Sequence, residues 1–233
     1  MKKGELITPA ASEWTTHHKE ALTQLLSEIA VDANATAKLT GYPVFDDKVM
    51  KALQKVPRHV FVSDRDQGLA YANRPLGIGH GQTISQPYIV ALMTVLLKLK
   101  SSHKVLEVGT GSGYQTAVLA ELVENVFTVE LIPSLAEGAQ KTLKHLGYDN
   151  IRFRTGNGRD GWLNYAPFQA IIVTAASEVI PSALIDQLEG GGRMVIPKGP
   201  PGGSQQLFLL TKNEKDTVTE KTVLPVSFVP LLD

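Results

Sequence analysis

The sequence contains no cysteine among its 233 residues. This absence excludes disulfide bonds, thiol nucleophiles and thiolate metal ligands, although it does not identify the compartment. An excess of charge of one sign is also lacking, because 23 basic side chains balance 23 acidic ones and the formal net charge is zero. A nucleic-acid-binding surface usually carries a basic excess, so we expect no nucleic-acid partner.

Long apolar runs are missing as well. No such run reaches the roughly 18 residues of a membrane-spanning helix, so we expect no membrane association. The first residues, MKKGELITPA, have two lysines but no apolar segment after them, so we expect no signal peptide and a cytoplasmic location. The histidines lack metal-ligand spacing, and we therefore predict no metal site. Hydrophobic residues make up 43% of the chain, which is ordinary for a globular protein.

The chain divides by pattern into an arm and one domain. Residues 1–16 are polar and aperiodic, so we expect a loose N-terminal arm there. Residues 17–233 are long enough for one core, and we predict a single domain. Its first part, 17–100, is expected to be mainly helical, beginning with a helix over 18–30. Its second part, 101–233, alternates short apolar strands with helices.

This alternation is typical of parallel βαβ units. The predicted strands lie at 104–108, 126–130, 151–154, 169–174 and 193–197, with helices at 116–122, 133–146 and 181–188. Two further strands, at 205–211 and 218–229, are separated by the polar KNEKD and are expected to join the sheet edge antiparallel. We therefore predict an α/β fold. It has a doubly wound, Rossmann-like, mostly parallel sheet, helices on both faces and an antiparallel C-terminal strand or hairpin.

The strongest local pattern is VLEVGTGSGY, residues 105–114, where a predicted strand runs into three glycines and then a helix. Glycines at such a turn let a ligand approach the backbone closely. A dinucleotide fingerprint reads G-x-G-x-x-G, whereas the third glycine here, Gly113, comes one residue early and Tyr114 follows. A P-loop would end in Gly-Lys-Ser/Thr, which is absent. The loop thus predicts a nucleotide without a pyrophosphate grip and disfavours a nicotinamide dehydrogenase.

Glu130 sharpens this prediction. It ends the next predicted strand, about 20 residues after the first glycine of the loop, where a carboxylate accepts hydrogen bonds from ribose hydroxyls. The alternative is a capping or solvated glutamate. An adenosine with free hydroxyls and no required phosphate indicates S-adenosylmethionine as the cofactor.

A second polar stretch, GHGQTISQPYIVALMTVLL at residues 79–97, precedes the glycine loop. Its apolar residues follow helical spacing and predict the inner face of one helix: Ile89, Val90, Met93, Leu96 and Leu97. Ser85 stands just ahead of Pro87, which favours a helix start. The local sequence leaves open whether Ser85 caps this helix or belongs to an active site. We interpret His80 as a residue that shapes the loop and not as a base.

Together these motifs resemble a known family. The glycine loop with Glu130 looks like a class I methyltransferase, and GHGQTISQP, VLEVGTGSGY, APFQAIIVTAA, GGRMVIP and VSFVPL resemble the protein-L-isoaspartate (D-aspartate) O-methyltransferase family. The resemblance runs from about residue 45 to the C-terminus, and TISQP and FVPL are its most specific parts. It implies methyl transfer from S-adenosylmethionine to the α-carboxylate of an isoaspartyl residue in a damaged protein. The ester then collapses to a succinimide that can reopen to aspartate.

The resemblance also implies roles for individual residues. Ser85 matches the active-site serine, whose hydroxyl would donate to the incoming carboxylate. No strong base is required, because such a carboxylate has a pKa near ~3.5–4 and is ionised at neutral pH. The implied cofactor site, for S-adenosylmethionine and its product S-adenosylhomocysteine, comprises Ile84, Ser85, Glu107, Gly109, Thr110, Gly111, Ser112, Gly113, Glu130, Asn157, Gly158 and Thr174. The implied substrate site comprises Thr83, Gln86, Val229, Pro230 and Leu231, where an extended peptide would pair with a strand.

Three positions depart from the family pattern. Asn157 stands where an aspartate usually accepts from the adenine amino group. Its amide keeps an acceptor but loses the charge, which predicts weaker cofactor binding. Gln169 replaces a usual aspartate, and Lys198 replaces a usual apolar residue; the sequence offers no physical account of either.

Other functions stay open at this point. One is an O-methyltransferase that acts on a small-molecule carboxylate or hydroxyl, and another is an adenosine-binding module without catalysis. The intact glycine loop, Glu130 and Ser85 argue against the second. As partners we expect isoaspartyl-containing proteins and peptides. We expect a monomer, with an oligomer as the open alternative.

Overall fold

The computed structural model describes residues 14–233, so most of the predicted N-terminal arm lies outside the described residues. The α-helices of this part are α1 Thr16–Ala35, α2 Ala37–Thr40, α3 Asp47–Lys55, α4 Pro87–Leu96, α5 Tyr114–Ala120, α6 Pro133–His145 and α7 Ser182–Asp186. The strands are β1 Leu76–Gly79, β2 Gln82–Ile84, β3 Lys104–Val108, β4 Asn125–Glu130, β5 Ile151–Thr155, β6 Phe168–Val173, β7 Leu188–Lys198, β8 Gln205–Lys212 and β9 Val218–Val226.

A seven-stranded sheet forms the centre, in the order β5-β4-β3-β6-β7-β8-β9. The first five of these strands are parallel, whereas β7 pairs with β8 and β8 with β9 in antiparallel fashion. The chain winds from β3 outward through β4 and β5, then returns to the other side of β3 as β6. This reversal is the topological switch point at which open α/β sheets bind ligands. The predicted fold class, including its antiparallel C-terminal hairpin, is confirmed.

Each face of the sheet has its own apolar core. Helices α1 and α3 to α6 pack on one face, where Val105 and Ile172 point into the core. Leu106, Val108 and Ile171 point to the opposite core, which α7 covers with Leu184. The alternation along β3 and β6 follows from the two-residue side-chain period of a strand. Both faces of these strands are therefore buried, as the continuous apolar runs indicate.

Several predicted boundaries were wrong for physical reasons. Helix α1 begins at Thr16, because the Thr15 hydroxyl accepts from the His18 amide and caps it, and it continues to Ala35 beyond the predicted end. Helix α4 is buried on almost all sides and not along one stripe, since the sheet and the other helices of that face enclose it. In α4 it is Ile89, predicted to face inward, that is only half-buried.

The largest omission is the hairpin of β1 and β2, which lies in the segment 57–85 predicted to be irregular. Leu76 pairs with Ile84 and Gly79 with Gln82, so the tip consists of His80 and Gly81. Helix α7 is shorter than predicted and β7 starts earlier, at Leu188. Among residues 14–233, no helix has the length and apolar character required to cross a bilayer.

Candidate active site

A cavity of about 750 Å³ opens at the carboxyl ends of β3, β4 and β6, at the switch point of the sheet. We call it the main cavity; this volume includes the open space at its mouth. Thirteen of the predicted site residues line it: Thr83, Ile84, Ser85, Gly109, Thr110, Gly111, Ser112, Glu130, Gly158, Thr174, Val229, Pro230 and Leu231. Chain segments far apart in sequence thus meet there, as the resemblance implied.

The glycine loop forms the floor of the main cavity because its backbone lies too close to its neighbours for side chains. Gly109 has φ +95°, and a Cβ there would lie 2.4 Å from Oγ1 of Thr174. The same Oγ1 donates to the Gly109 carbonyl at 2.7 Å, which ties the loop to the end of β6. A Cβ on Gly158 would meet Val108 at 2.4 Å. Only glycine is therefore accommodated at these two positions of the cavity lining, because a side chain would collide with Thr174 or Val108.

Glu130 is 7% exposed and lines the main cavity from the end of β4. Its Oε2 accepts from the Gly111 amide at 2.8 Å, and its Oε1 accepts from the Ile132 amide at 3.0 Å. These bonds fix the carboxylate against the glycine loop. A carboxylate has about four lone-pair sites, so two protein donors leave acceptor capacity for ribose hydroxyls.

Glu107 lies outside the cavity lining, contrary to the predicted cofactor contact. It is fully buried beneath the glycine loop, where its Oε2 accepts from Thr116 at 2.5 Å and from Thr128 at 2.7 Å. Thr110, which does line the cavity, is 2.6 Å from Thr128, so the network reaches the loop. Burial raises the pKa of Glu107 to about 8, with a further contribution from the nearby charge of Glu130. Its position makes it a support for the loop.

Three other predicted residues also lie outside this lining. Gly113 packs on α6, where a Cβ would come within 2.9 Å of Leu143. Gln86 faces a different groove, described below. Asn157 uses its Oδ1 to accept from the Arg159 amide at 2.9 Å and so caps a 3₁₀ turn. The adenine contact of Asn157 therefore stays a prediction, and it would require the second lone pair of Oδ1.

Ser85 lies between the β1–β2 hairpin and α4. The N-cap position of α4 is Gln86, and no side chain caps that helix, so the structure does not support a capping role for Ser85. The hairpin lies over the glycine loop, with Ile78 about 3.4 Å from where a Gly111 Cβ would stand. At its tip, the ring Nε2 of His80 is 2.9 Å from Oγ of Ser134. This contact, together with the φ of +53° at His80, agrees with a loop-shaping role.

A second concavity, which we call the side groove, adjoins the main cavity and encloses about 840 Å³ including its open mouth. Thr83 and Ser85 line both. The other side-groove residues are uncharged: Pro75, Gln86, Ile89, Pro225, Val226, Ser227 and Phe228. The main cavity and the side groove therefore meet at Thr83 and Ser85.

The segment after β9 closes the main cavity from the C-terminal side. Its backbone pairs with Ala176, which donates to the Val229 carbonyl at 2.8 Å and accepts from the Leu231 amide at 2.7 Å. Arg159 donates to the Leu231 carbonyl at 3.1 Å and forms an ion pair with Asp233. In the part of the chain that the structure describes, the carbonyl of Pro230 has no hydrogen-bond partner. We therefore expect the segment 229–231 to offer a peptide fewer main-chain hydrogen bonds than a full strand would.

Sequence reasoning missed ten lining residues of the main cavity: Gln82, Val90, Val108, Tyr114, Gln115, Val129, Leu131, Ile132, Ala175 and Leu232. Most are chain neighbours of residues that were predicted. Adjacency to strand ends and to the glycine loop is the signal that could have found them.

Gln169 and Lys198, the two departures from the family pattern that the sequence does not explain, both contact other residues in the structure. Gln169 accepts from the Lys104 amide at 2.7 Å and donates to Glu189 at 2.8 Å, which joins the starts of three strands. Lys198 lies 3.8 Å from Oε2 of Glu220 across the C-terminal hairpin, with its Nζ 5.2 Å from the Phe208 ring centre. Both side chains therefore make polar contacts with residues of other strands of the sheet.

Comparison with known proteins agrees with this geometry. Residues 35–233 match the family described as protein-L-isoaspartate(D-aspartate) O-methyltransferase. The chain is 54% identical over 211 residues to protein-L-isoaspartate O-methyltransferase 2 of Syntrophobacter fumaroxidans, covering 91% of this chain and 85% of that protein. It is 54% identical over 207 residues to the protein of the same name from Polaromonas sp., covering 89% and 98%.

Solved structures show the same fold. One protein-L-isoaspartate O-methyltransferase superposes with a TM-score of 0.77 at 25% identity, covering 91% of this chain and 65% of that one. A structure from Plasmodium falciparum, assigned to the same activity and in complex with S-adenosyl-L-homocysteine, gives a TM-score of 0.75 at 24% identity, covering 92% and 98%.

The switch-point cavity, the backbone floor and the strand-end carboxylate define an S-adenosylmethionine-dependent methyltransferase. The sequence identity of 54% to two named relatives, over about nine tenths of this chain, then identifies the family within this class. The chain belongs to the protein-L-isoaspartate(D-aspartate) O-methyltransferase family.

Proposed function

We propose that this enzyme methylates the α-carboxylate of L-isoaspartyl residues, and also D-aspartyl residues, in damaged proteins and peptides. The ester formed then collapses to a succinimide, which begins repair. The observation that carries the proposal is the meeting of two binding spaces at Ser85, one for a small molecule and one for an extended chain.

Features of the main cavity support S-adenosylmethionine as its ligand. Glu130 is fixed with free acceptor sites toward ribose hydroxyls, and the Gly109–Gly113 loop offers bare backbone. Thr128 holds this loop through its contact with Thr110, and Thr174 holds it by donating to the Gly109 carbonyl. When bound, the cofactor supplies a methyl group on a sulfonium and leaves as S-adenosylhomocysteine.

The acceptor carboxylate needs orientation and not deprotonation. Such a group is already ionised at neutral pH, since its ordinary pKa is near ~3.5–4. The hydroxyl of Ser85 would donate a hydrogen bond to one carboxylate oxygen and direct the other toward the main cavity. Alignment of this kind supplies much of the rate in a methyl transfer. A partly dry pocket beneath the hairpin would strengthen the attraction between anion and sulfonium.

The side groove would hold the chain that carries the damage. Its apolar walls suit an extended peptide. Where such a peptide enters the main cavity, it could donate one main-chain hydrogen bond to the free carbonyl of Pro230. A contact of this kind depends little on sequence. The absence of charged side chains in the groove supports tolerance of many flanking residues.

Replacement of Ser85 by alanine tests the proposal. A hydrogen bond to a charged group contributes roughly 1.5–3 kcal/mol, so Ser85→Ala should lower kcat on an isoaspartyl peptide by more than tenfold. Transfer of labelled methyl to paired isoaspartyl and aspartyl peptides, and to a panel of small carboxylates and alcohols, measures it. Ser27→Ala on the exposed face of α1 is the matched control. Equal kinetics of Ser85→Ala and wild type would remove Ser85 from the mechanism.

The same assay discriminates the alternative of a small-molecule O-methyltransferase. Preference for the small-molecule panel over the isoaspartyl peptide would refute the proposed substrate. We also propose that the enzyme is a monomer, acts in the cytoplasm and binds neither nucleic acid nor membranes. The zero net charge supports the nucleic-acid part of this proposal. Light scattering with size exclusion, and cell fractionation, would test the other parts.

A further inference from the structure

Arg58 is a buried cation that the reaction scheme above does not use. It starts a 3₁₀ turn, Arg58–Phe61, just after α3, and its side chain is fully buried. Among the residues that the structure describes, no carboxylate forms an ion pair with it. Burial lowers its pKa to about 10, so the guanidinium is still charged at neutral pH. A buried charge without a counter-ion is costly, and its retention calls for a specific role.

The contacts of Arg58 join both binding spaces. Its Nη2 donates to the main-chain carbonyl of Ser85 at 2.8 Å, and its Nε donates to the Ala70 carbonyl at 2.8 Å. Its Cζ lies 4.7 Å from the ring centre of Tyr114. Tyr114 begins α5 directly after the glycine loop and lines the main cavity. One planar group therefore touches the serine of the acceptor side and the aromatic ring of the donor side.

We propose that Arg58 is a positioning residue that fixes the Ser85 backbone relative to the glycine loop, and so sets the approach of the carboxylate to the methyl group. The inference rests on the proposed role of Ser85. A guanidinium suits this task because its rigid fork donates in two directions while its face stacks on an aromatic ring. Lysine offers one nitrogen on a flexible stem and cannot hold the same three contacts at once.

A double-mutant cycle tests this inference with the full chain. The four proteins are wild type, Arg58→Lys, Ser85→Ala and the double variant. Each is assayed for kcat with saturating isoaspartyl peptide, for the Kd of S-adenosylhomocysteine by calorimetry, and for folding by circular dichroism. Two groups that act through one another give non-additive effects, whereas independent groups give additive ones.

We expect Arg58→Lys to lower kcat more than tenfold in the wild-type background and less than threefold in the Ser85→Ala background. The Kd of S-adenosylhomocysteine should change less than threefold. Arg193→Lys is the matched control, because Arg193 also donates to a main-chain carbonyl, that of Leu96, far from the cavity. If Arg58→Lys does not fold, Arg58→Met, which fills similar space without a charge, takes its place in the cycle.

Wild-type kcat in a folded Arg58 variant would overturn the inference, and so would equal fold-losses in both backgrounds. A loss that appears only as weaker S-adenosylhomocysteine binding would also overturn it. If Ser85→Ala itself keeps full activity, the proposed role of Ser85 fails, and the single variant reveals this separately from the cycle.

Discussion

The fully buried Glu107 should make the stability of this protein depend on pH. Replacing it by glutamine, an uncharged group of the same shape, isolates that dependence. In the Glu107→Gln variant the amide oxygen would still accept from Thr116 and Thr128, which both donate to the same carboxyl oxygen in the native protein. The amide nitrogen would take the place of the other oxygen, which has no partner among the described residues.

The sign of this pH dependence follows from whether the folded or the unfolded state holds the proton of the Glu107 carboxyl. The pKa of Glu107 is about 8 in the folded protein, against an ordinary value of 4.5. Its contribution to the free energy of unfolding is therefore fully present below about pH 4.5 and is lost as the pH rises to about 8. Between these limits the folded state keeps a proton that the unfolded state releases. The slope is about 1.4 kcal/mol per pH unit, and the total is on the order of 5 kcal/mol.

Urea unfolding of wild type and Glu107→Gln at pH 5, 6, 7 and 8, followed by tryptophan fluorescence, measures this slope. The difference in unfolding free energy between the two proteins should shift in favour of the variant as the pH rises, because all other titrating groups are shared. A constant offset from the buried amide nitrogen, about 1–3 kcal/mol, does not affect the slope. Stability curves that run parallel from pH 5 to 8 would refute the reasoning.

Three further predictions concern the cofactor site and the sheet. Gly109→Ala should abolish S-adenosylhomocysteine binding in calorimetry, because the new Cβ would lie 2.4 Å from Thr174 Oγ1; binding within threefold of wild type would contradict this. Asn157→Asp should keep the turn cap and lower the Kd of S-adenosylhomocysteine about threefold or more by adding charge to the acceptor, and an unchanged or higher Kd would count against the adenine contact. Gln169→Asp should cost about 1–2 kcal/mol in urea unfolding, since the shorter carboxylate faces Glu189; an equal or higher midpoint would argue against that account.

The glycine loop and Glu130 could be predicted because they end consecutive strands of βαβ units. Parallel strands bring such ends to one edge of the sheet, so spacing along the chain specifies proximity in space. The same rule does not tell which way a side chain points. Glu107 stands one residue before Val108, the last residue of β3, and the two-residue period turns it beneath the loop, away from the cavity.

Other features depend on tertiary packing that no local pattern records. The strands of the β1–β2 hairpin have only four and three residues, and the hairpin contains three glycines. Such short strands do not show the alternating pattern by which a strand is predicted. No local pattern marks Arg58 as buried; its contacts with the carbonyls of Ala70 and Ser85 arise only in the folded chain. Ser85 itself needed the family resemblance, because a serine before a proline is equally typical of a helix cap.

The uncharged side groove has a consequence for which proteins are repaired. Under the proposed function, a groove that takes an extended chain and carries no charged side chain would distinguish substrates little by the charges in their sequence. Accessibility of the damaged segment would then matter most, because the segment would have to leave its helix or sheet and lie extended over Thr83 and Ser85. Loops, termini and partly unfolded chains meet that condition at little cost in free energy. Local flexibility of the ageing protein, more than its sequence, should therefore decide the rate at which each lesion is methylated.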